Sequence, residues 1–591
     1  MKKLILLFLA ALWSMPFITV NGVCQDNADF GRYERKSISY IPAIYIPRSE
    51  AYEMRNSEIK FLIKTVKEYI EMPRFDYNEL PEGITDEFVR KARKRGGVTP
   101  DEMQELLNET VVPVIMDILN TQKEIRARDL VTEEQKQQFI TTKAQSYGIT
   151  AQQLETVLNS AYLYIPYVDW VDFDEEKGMI TFTIKGGLLW YHIVPDVENP
   201  RVEPLMKRET TSFGKGQDDQ RYPFKGELLE GDEFALYTAV DNFARNLQVA
   251  TQSIPDFQLA GLVQYAEKNS VEFDLGKREG IKVDDGFYIK EQFESKFGEV
   301  DARKVGFVRT IGVGNNKKDA TAVSIAAPIT GNNFTRGMAL LEHPRLPIDV
   351  SLRIRLLNFN LQRNTDSVYV ELPFTSIDVL SARFPENYSG GIPALDLEAA
   401  YHIGRHFDIP MLLFIAGATA GIVPVEAQVR SFEDEYWKWD SVYPTLFQFR
   451  FGITKKYFWR RYGLQIGGDV GLSAMSATDK IWLPVIEDGN WKIEDYNISL
   501  SNRTVGASVF TGFEYFITPD FTTGITAGFQ GYPESAAWSF DIANDSYDIT
   551  SYGEDRPTYS INGGFMSIYI QYRPPSLPFD PLNMIRAMVG I

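Results

Sequence analysis

The sequence predicts a multi-domain chain with a periplasmic α/β domain, a small antiparallel β-barrel domain and a C-terminal eight-stranded transmembrane antiparallel β-barrel. Three observations carry this reading. The N-terminus runs from basic to apolar to small residues, as an export signal does. From about residue 346, segments of roughly ten residues alternate apolar and polar side chains with period 2. The connectors between those segments alternate long and short. Composition sets the outer bounds. With 44% apolar and 24% charged residues, wholesale disorder is excluded. A formal charge of −19 argues against a nucleic-acid partner, which needs a basic surface. One cysteine and four histidines exclude a disulfide framework and a thiolate zinc site and leave little imidazole chemistry. The expectation is a chain without enzymatic activity and without a cofactor.

The elements follow in order. Lys2-Lys3, the apolar run from Leu4 to Trp13 and Gly22-Val23-Cys24-Gln25 read as a signal peptide over 1–24, with Gly22 and Cys24 at the small positions before the cut. The rival reading lipidates Cys24, although Val23 and Asn21 fit a lipoprotein signal poorly. Residues 32–250 read as the α/β domain, opening on a strand within 32–47. A helical insertion follows over about 50–160. There Ile59, Leu62, Ile63, Val66 and Ile70 recur at helical spacing. Thr99-Pro100, Thr132 to Gln135 and Thr150 to Gln153 are helix-start patterns. Strands return from Ala161 and over 180–194, and Glu233 to Gln248 reads as one more helix. Within 256–345, Gln258–Ala266, Val271–Leu275, Gly286–Lys290, Lys304–Val313 and Ala320–Ala327 are short strands spaced as in a small barrel. The run from Val271 to Ile289, with Lys304 to Val308 after it, resembles the C-terminal domain of the flagellar assembly protein T family. The region before it is similar to α/β domains of the curli-secretion lipoprotein type. Those resemblances imply an envelope assembly or interaction module and supply no site residues.

Residues 346–574 read as the membrane barrel, with strands near 348–357, 393–403, 409–420, 444–454, 462–474, 503–516, 520–530 and 560–572, and 575–591 as a periplasmic tail. In Thr445 to Thr454, Phe447, Phe449, Phe451 and Ile453 fall on one face and Gln448, Arg450, Gly452 and Thr454 on the other. Glycines share the polar face with charges in several strands, which a water-soluble sandwich does not favour. Ile409 to Val425 is uncharged but carries Pro410 and Pro424 near its ends and lies between strands, so it reads as a strand rather than a membrane helix. Long connectors at 359–392, 421–443, 475–502 and 531–559 fall outside, and short ones, including Lys455 to Arg461, fall on the periplasmic side. The segment Gly512 to Phe521, followed by TTGITAGF, resembles outer-membrane protein β-barrel families. The resemblance implies architecture and outer-membrane localisation, not activity.

An eight-stranded barrel is only wide enough for side chains. Its inward set is predicted to be Asp349, Arg353, Arg355, Asp396, Glu398, Arg450, Asp469 and Glu514, and buried charges must pair. Tyr457, Phe458 and Trp459, flanked by basic pairs, suit membrane-interface anchors beside lipid phosphates, with Trp437 and Trp439 mirroring them at the outer rim. His402-x-x-x-His406 has metal-ligand spacing but straddles a strand end and a turn and lacks the protease glutamate, so no metal is expected. A Ser-His-Asp hydrolase would need His402 or His406 beside a serine. The loop from Glu534 to Asp555 is acidic and reads as solvated. Asp366-Ser367-Val368 and Asp440-Ser441-Val442 resemble the O-glycosylation acceptor of Bacteroidota. The expected partners are outer-membrane lipid and an unidentified periplasmic or outer-membrane protein. The expected role is a plugged anchor in envelope assembly or secretion support. The alternatives are a channel of ten or more strands, if 359–392 hides a hairpin, and a barrel lipid hydrolase or acyltransferase.

Overall fold

The computed structural model describes residues 33, 35–40, 52–79, 82–95, 100–127, 133–146, 162–194, 201–294, 300–363, 368–370, 380–433, 436–487, 490–542, 545–548, 557–581, 583, 584 and 587. The expected signal peptide with Cys24, the Thr150 helix start, the Asp366-Ser367 pair and the acids Glu554 and Asp555 lie outside the described residues.

The first unit runs β1 (Lys36–Tyr40), α1 (Asn56–Ile70), β2 (Phe75–Glu79), α2 (Glu82–Arg95), α3 (Pro100–Ala127), α4 (Glu133–Ser146), β3 (Tyr162–Glu176), β4 (Met179–Val194), β5 (Arg201–Gln217), a hairpin of β6 (Arg221–Phe224) and β7 (Glu227–Glu230), and α5 (Gly231–Gln252). The sheet has the order β2-β1-β3-β4-β5, with β1 parallel to both neighbours and β3 to β5 a meander. Both faces are covered. Leu62, Val66 and Ile70 of α1 and Phe243 and Leu247 of α5 pack with Tyr164, Val168 and Trp190. Leu106, Val111 and Ile115 of α3 pack with Leu163, Ile165 and Leu189 on the other side. The sequence reading lacks β2 and β5. The first is too short and polar for a period to register, and the second is a charged edge strand.

The second unit is a closed barrel of β8 (Ala260–Ala266), β9 (Val271–Phe273), β10 (Gly286–Glu294), β11 (Val300–Gly312), β12 (Ser324–Thr330) and β13 (Ala339–Glu342), in the order β10-β11-β12-β9-β8-β13. Val263, Phe273, Phe287, Val308 and Leu340 fill it. Five of its strands overlap those expected. The sixth, four residues of ALLE, is not legible alone.

The third unit comprises β14 (Ile348–Gln362), β15 (Val368–Val370), β16 (Leu380–Arg383), β17 (Tyr388–Tyr401), β18 (Leu412–Ile422), β19 (Ala427–Glu433), β20 (Tyr436–Val442), β21 (Thr445–Trp459), β22 (Tyr462–Glu487), β23 (Asn490–Phe516), β24 (Phe521–Ser535), β25 (Trp538–Ile542), β26 (Asp545–Asp548) and β27 (Thr558–Tyr572). Pairing runs β14-β17-β18-β21-β22-β23-β24-β27 and back to β14, antiparallel throughout, which closes a ring. The apolar stretch around Gly417 is strand β18, and no helix among the described residues is long and apolar enough to cross a membrane. The connectors are more structured than expected. β15 and β16 do form the hairpin suspected within 359–392, yet it joins β19 and β20 in a separate four-stranded sheet and adds nothing to the ring. β22 and β23 stay paired through Glu487 and Asn490, so 475–502 is mostly ladder.

The two ends of the ring differ. The near end carries three short connections, residues 402–411, 460–461 and 517–520, together with both chain entries. The other end carries the extra strands. Along β14 the amphipathic pattern inverts. Asp349, Ser351, Arg353 and Arg355 point inward while Leu352, Ile354 and Leu356 are exposed, whereas beyond them Leu357, Phe359 and Leu361 are buried inside and Asn358 faces out. The ladder between β14 and β27 breaks register at the same level, between Leu356 and Asn360. Above it, Val429 of the four-stranded sheet, with Phe384 and Val425 from the segments that flank its strands, packs with Leu357, Phe359, Leu361, Tyr532 and Tyr559, capping the ring with an apolar core. A polar lumen is therefore correct only for the near half.

The chain end folds back onto the first unit. Asn246 of α5 donates to the Leu577 carbonyl at 2.6 Å and accepts from its N–H at 3.2 Å. Phe213 N–H donates to the Pro578 carbonyl at 2.6 Å, and Arg245 pairs with Asp580 at 3.0 Å. What reads as a tail is a strap between units.

Candidate functional site: a charged lumen and its floor

All eight inward charges read from the sequence lie inside the ring, each at most 6% exposed. Arg450 on β21 is their hub. Its Nη2 donates to Asp396 Oδ1 and Oδ2 at 2.9 and 2.8 Å, and its Nη1 to Asp469 Oδ2 at 2.8 Å. Thr419 and Ser508 hydroxyls donate to the same two carboxylates. Gly417 makes room for the hub, because a Cβ there would lie 2.8 Å from Arg450 Nη2. Sharing of the polar face between glycine and charge thus has a steric cause. Arg353 pairs with Glu398 and lies over the Tyr569 ring. Arg355 has no carboxylate within hydrogen-bonding distance among the described residues. Its Nη2 lies 3.5 Å from Gln530 Oε1 and its guanidinium 4.4 Å from the Phe565 ring centroid. A cavity of about 10 Å³ is left among these side chains, at the lower limit for one water.

The sequence reading has one misplacement with consequences. The sequence pattern puts Lys456 in a turn facing lipid phosphates, but β21 continues to Trp459 and keeps its alternation. Lys456 is therefore buried in the lumen, donating to Glu514 Oε2 and Gln571 Oε1, both at 2.9 Å. The turn is only Arg460-Arg461, with Arg460 at φ 60. The same phase corrects Phe458, expected as a membrane anchor. It points inward at the near end and packs with Phe307, Ile329 and Phe516. Tyr457 and Trp459 do face outward, half exposed, and continue into Tyr462, Phe513, Tyr515 and Phe521 as an aromatic rim. Trp439 sits on β20 in the four-stranded sheet, under the Arg383 guanidinium, not on a ring strand. Trp437 is on the same strand, its side chain outside the described residues.

Below Lys456 lies a floor with no sequence signal. His402, fully buried, has Asp284 Oδ2 at 2.9 Å from Nδ1 and Asp349 Oδ2 at 3.2 Å from Nε2. Arg573 donates its Nε to Asp349 Oδ1 at 2.8 Å and contacts the His402 ring. Asp284 comes from the small barrel, and its carboxylate also accepts the Met411 N–H. Burial would raise that carboxyl, and the neighbouring His402 and Arg573 outweigh it and hold it below the usual range. At the edge, Asp520 accepts Arg345 Nε at 3.0 Å and Nη2 at 2.7 Å, and lies 2.9 Å from His343 Nε2. Burial pushes the His343 imidazole below its ordinary value. His406 contacts Tyr401 instead of joining His402, and the described residues hold no cluster able to bind a metal. The partners of His402 among the described residues are carboxylates and an arginine, with no serine hydroxyl.

Outside, the ring is apolar. Ile354, Ile453, Ile466, Val470, Val505, Val509, Ile525, Phe529, Ile568 and Ile570 are all more than half exposed. No protein-family profile matches the chain, and no curated protein matches it. Among solved structures the ring is similar to outer-membrane β-barrel proteins. Neisserial surface protein A shows 11% identity over 39% of this chain and 99% of its own, with a TM-score of 0.21. Ail, the attachment invasion locus protein of Yersinia pestis, shows 10% identity over 38% of this chain and 97% of its own, with a TM-score of 0.18. OmpT, an outer membrane protein of Vibrio cholerae, shows 10% identity over 52% of this chain and 99% of its own, with a TM-score of 0.09. The description of the barrel rests on its own strand pairings.

Proposed function

We propose that the chain is a non-enzymatic outer-membrane protein whose plugged eight-stranded barrel anchors a periplasmic module, the α/β unit and the small barrel, for envelope assembly or secretion support. The belt of exposed isoleucine, valine and phenylalanine carries the membrane part. So large a contiguous apolar surface suits lipid rather than water. The short turns at the rim end support an orientation with that end and both soluble units on the periplasmic side. The inversion along β14 supports a boundary of the lipid belt there, since beyond Leu356 the outward side chains turn polar. Paired charges below and an apolar core above support a barrel that conducts nothing. In planar-bilayer recordings the purified protein is expected to give no stable conductance, and reproducible open-channel steps would overturn the plugged anchor.

A further inference from the structure

A cavity of about 500 Å³ opens where the near end of the ring, the small barrel and the α1–β2 turn meet. Its wall carries eight lysines and arginines against six carboxylates. The carboxylates are already engaged. Arg74 holds Glu342, Lys277 holds Asp408, Arg345 holds Asp520 and Arg405 holds Asp285. His402 takes Asp284, and Asn316 with the Gly276 N–H takes Glu279. With Arg573 committed to Asp349, three cations remain without an acidic partner among the described residues: Lys282, Lys317 and Arg309.

Arg309 is the decisive one. It projects from β11, is only 4% exposed, and its guanidinium lies over the Phe458 and Phe516 rings at 5.8 and 5.5 Å. The rings cover the faces of the fork but accept none of its in-plane N–H groups. Nη1 reaches only the Met411 sulfur at 3.5 Å, and Nε has no acceptor. Burial and the nearby Arg573 charge lower its pKa to about 10 against the pull of the Asp349, Asp284 and Glu514 carboxylates, none of which forms an ion pair with it, and this leaves it a cation at neutral pH. Unlike Arg355, which has only about 10 Å³ beside it, Arg309 joins open donors to a cavity with room for an anion, and its planar fork fits two oxygens of a phosphate. The volume falls in the range of small-ligand sites.

We propose that this junction cavity binds a phosphate-bearing ligand, with Arg309 as the principal contact and Lys282 as a second charge. The phosphate comes either from a phospholipid headgroup, since Phe458 and Phe516 lie at the level of the aromatic rim, or from a soluble phosphate compound. The experiment uses the full chain purified in a phosphate-free maltoside detergent, with thermal melting read after adding inorganic phosphate or short-chain phosphatidylglycerol. The parent is expected to melt higher with one of them. A response to inorganic phosphate identifies a soluble source, and a response to the lipid alone identifies the headgroup. Arg309→Met should melt close to the unliganded parent, because the carboxylates nearest Arg309, those of Asp284, Asp349 and Glu514, each keep a closer partner in His402, Arg573 and Lys456. It should also need at least tenfold more ligand for the same shift. Arg309→Lys should keep part of the response. If neither probe shifts the parent, the proposal fails. It also fails if Arg309→Met melts lower while responding like the parent, which would make Arg309 a packing residue.

Discussion

Replacing Arg450 by methionine tests whether the lumen is held by pairing or merely filled. What stays behind sets the cost. Asp396 and Asp469, 0% and 4% exposed, each lose a charged donor at 2.8 Å. Asp396 keeps the Thr419 hydroxyl and Asp469 keeps that of Ser508, neither of which is a cation. Breaking a buried pair by removing one partner costs about 3–5 kcal/mol. Arg450→Met should therefore lose at least that much, because two carboxylates are stranded. The triple variant with Asp396→Asn and Asp469→Asn should recover most of the loss, since amides need no counter-charge. Arg355 is the internal control. It is as buried and lies in the same lumen, but has no carboxylate within hydrogen-bonding distance among the described residues, so Arg355→Met takes no hydrogen-bonded partner from a carboxylate and should lose far less than Arg450→Met. The assay is the urea midpoint of the barrel in lipid vesicles, read by gel mobility without heating and by tryptophan fluorescence. Equal losses for Arg450→Met and Arg355→Met, or an Arg450→Met as stable as the parent, would refute the pairing argument.

Two further outcomes follow from the junctions. Arg74 and Glu342 form a doubly hydrogen-bonded pair at 2.5 and 2.8 Å between the α/β unit and the small barrel, both side chains nearly sealed. Arg74→Met should cost about 3–5 kcal/mol by leaving Glu342 without a cation and with only the Leu259 N–H at 3.1 Å, visible as faster proteolysis near residues 72–75, and Arg74→Met with Glu342→Gln should regain most of it. Asp520 gives a pH signature. Burial pushes its carboxyl up, but hydrogen bonds from His343 and Arg345 prevail and hold it at about 2. That is below the unfolded value of about 3.9, so its contribution of about 2–3 kcal/mol is complete above that pH and lost as pH falls through 2. Asp520→Asn should melt lower than the parent at pH 7 and equal to it at pH 2.

The ring strands were legible because each crosses one apolar boundary, so period 2 sorts their residues without any partner. Arg450, Asp469 and Glu514 could be placed inside for that reason. The pattern misled at strand ends. Lys455-Lys456 and Arg460-Arg461 look like the flanks of a loop, and only the continued alternation through Tyr457, Phe458 and Trp459 shows otherwise. Beyond Leu356 the apolar residues move to the inner face, so a rule tuned to apolar-out strands stops there and leaves the cap unread. The floor was out of reach. Asp284, His402 and Arg573 come from three distant parts of the chain, and the spacing of His402 and His406 carries no signal of the carboxylates that His402 meets.

The strap formed by residues 577–580 has a consequence for biogenesis. In a chain synthesised N-terminus first, the α/β unit emerges long before the residues that complete its α5 surface. Until β27 is delivered, Arg245 and Asn246 lack Asp580 and Leu577, and the ring lacks the strand that joins β14 to β24. The two defects are cured by neighbouring stretches of one sequence, and so within moments of each other. A stalled or truncated chain would show an unzipped barrel seam and an uncovered helix together, a double mark by which envelope proteases could sort unfinished copies from finished ones.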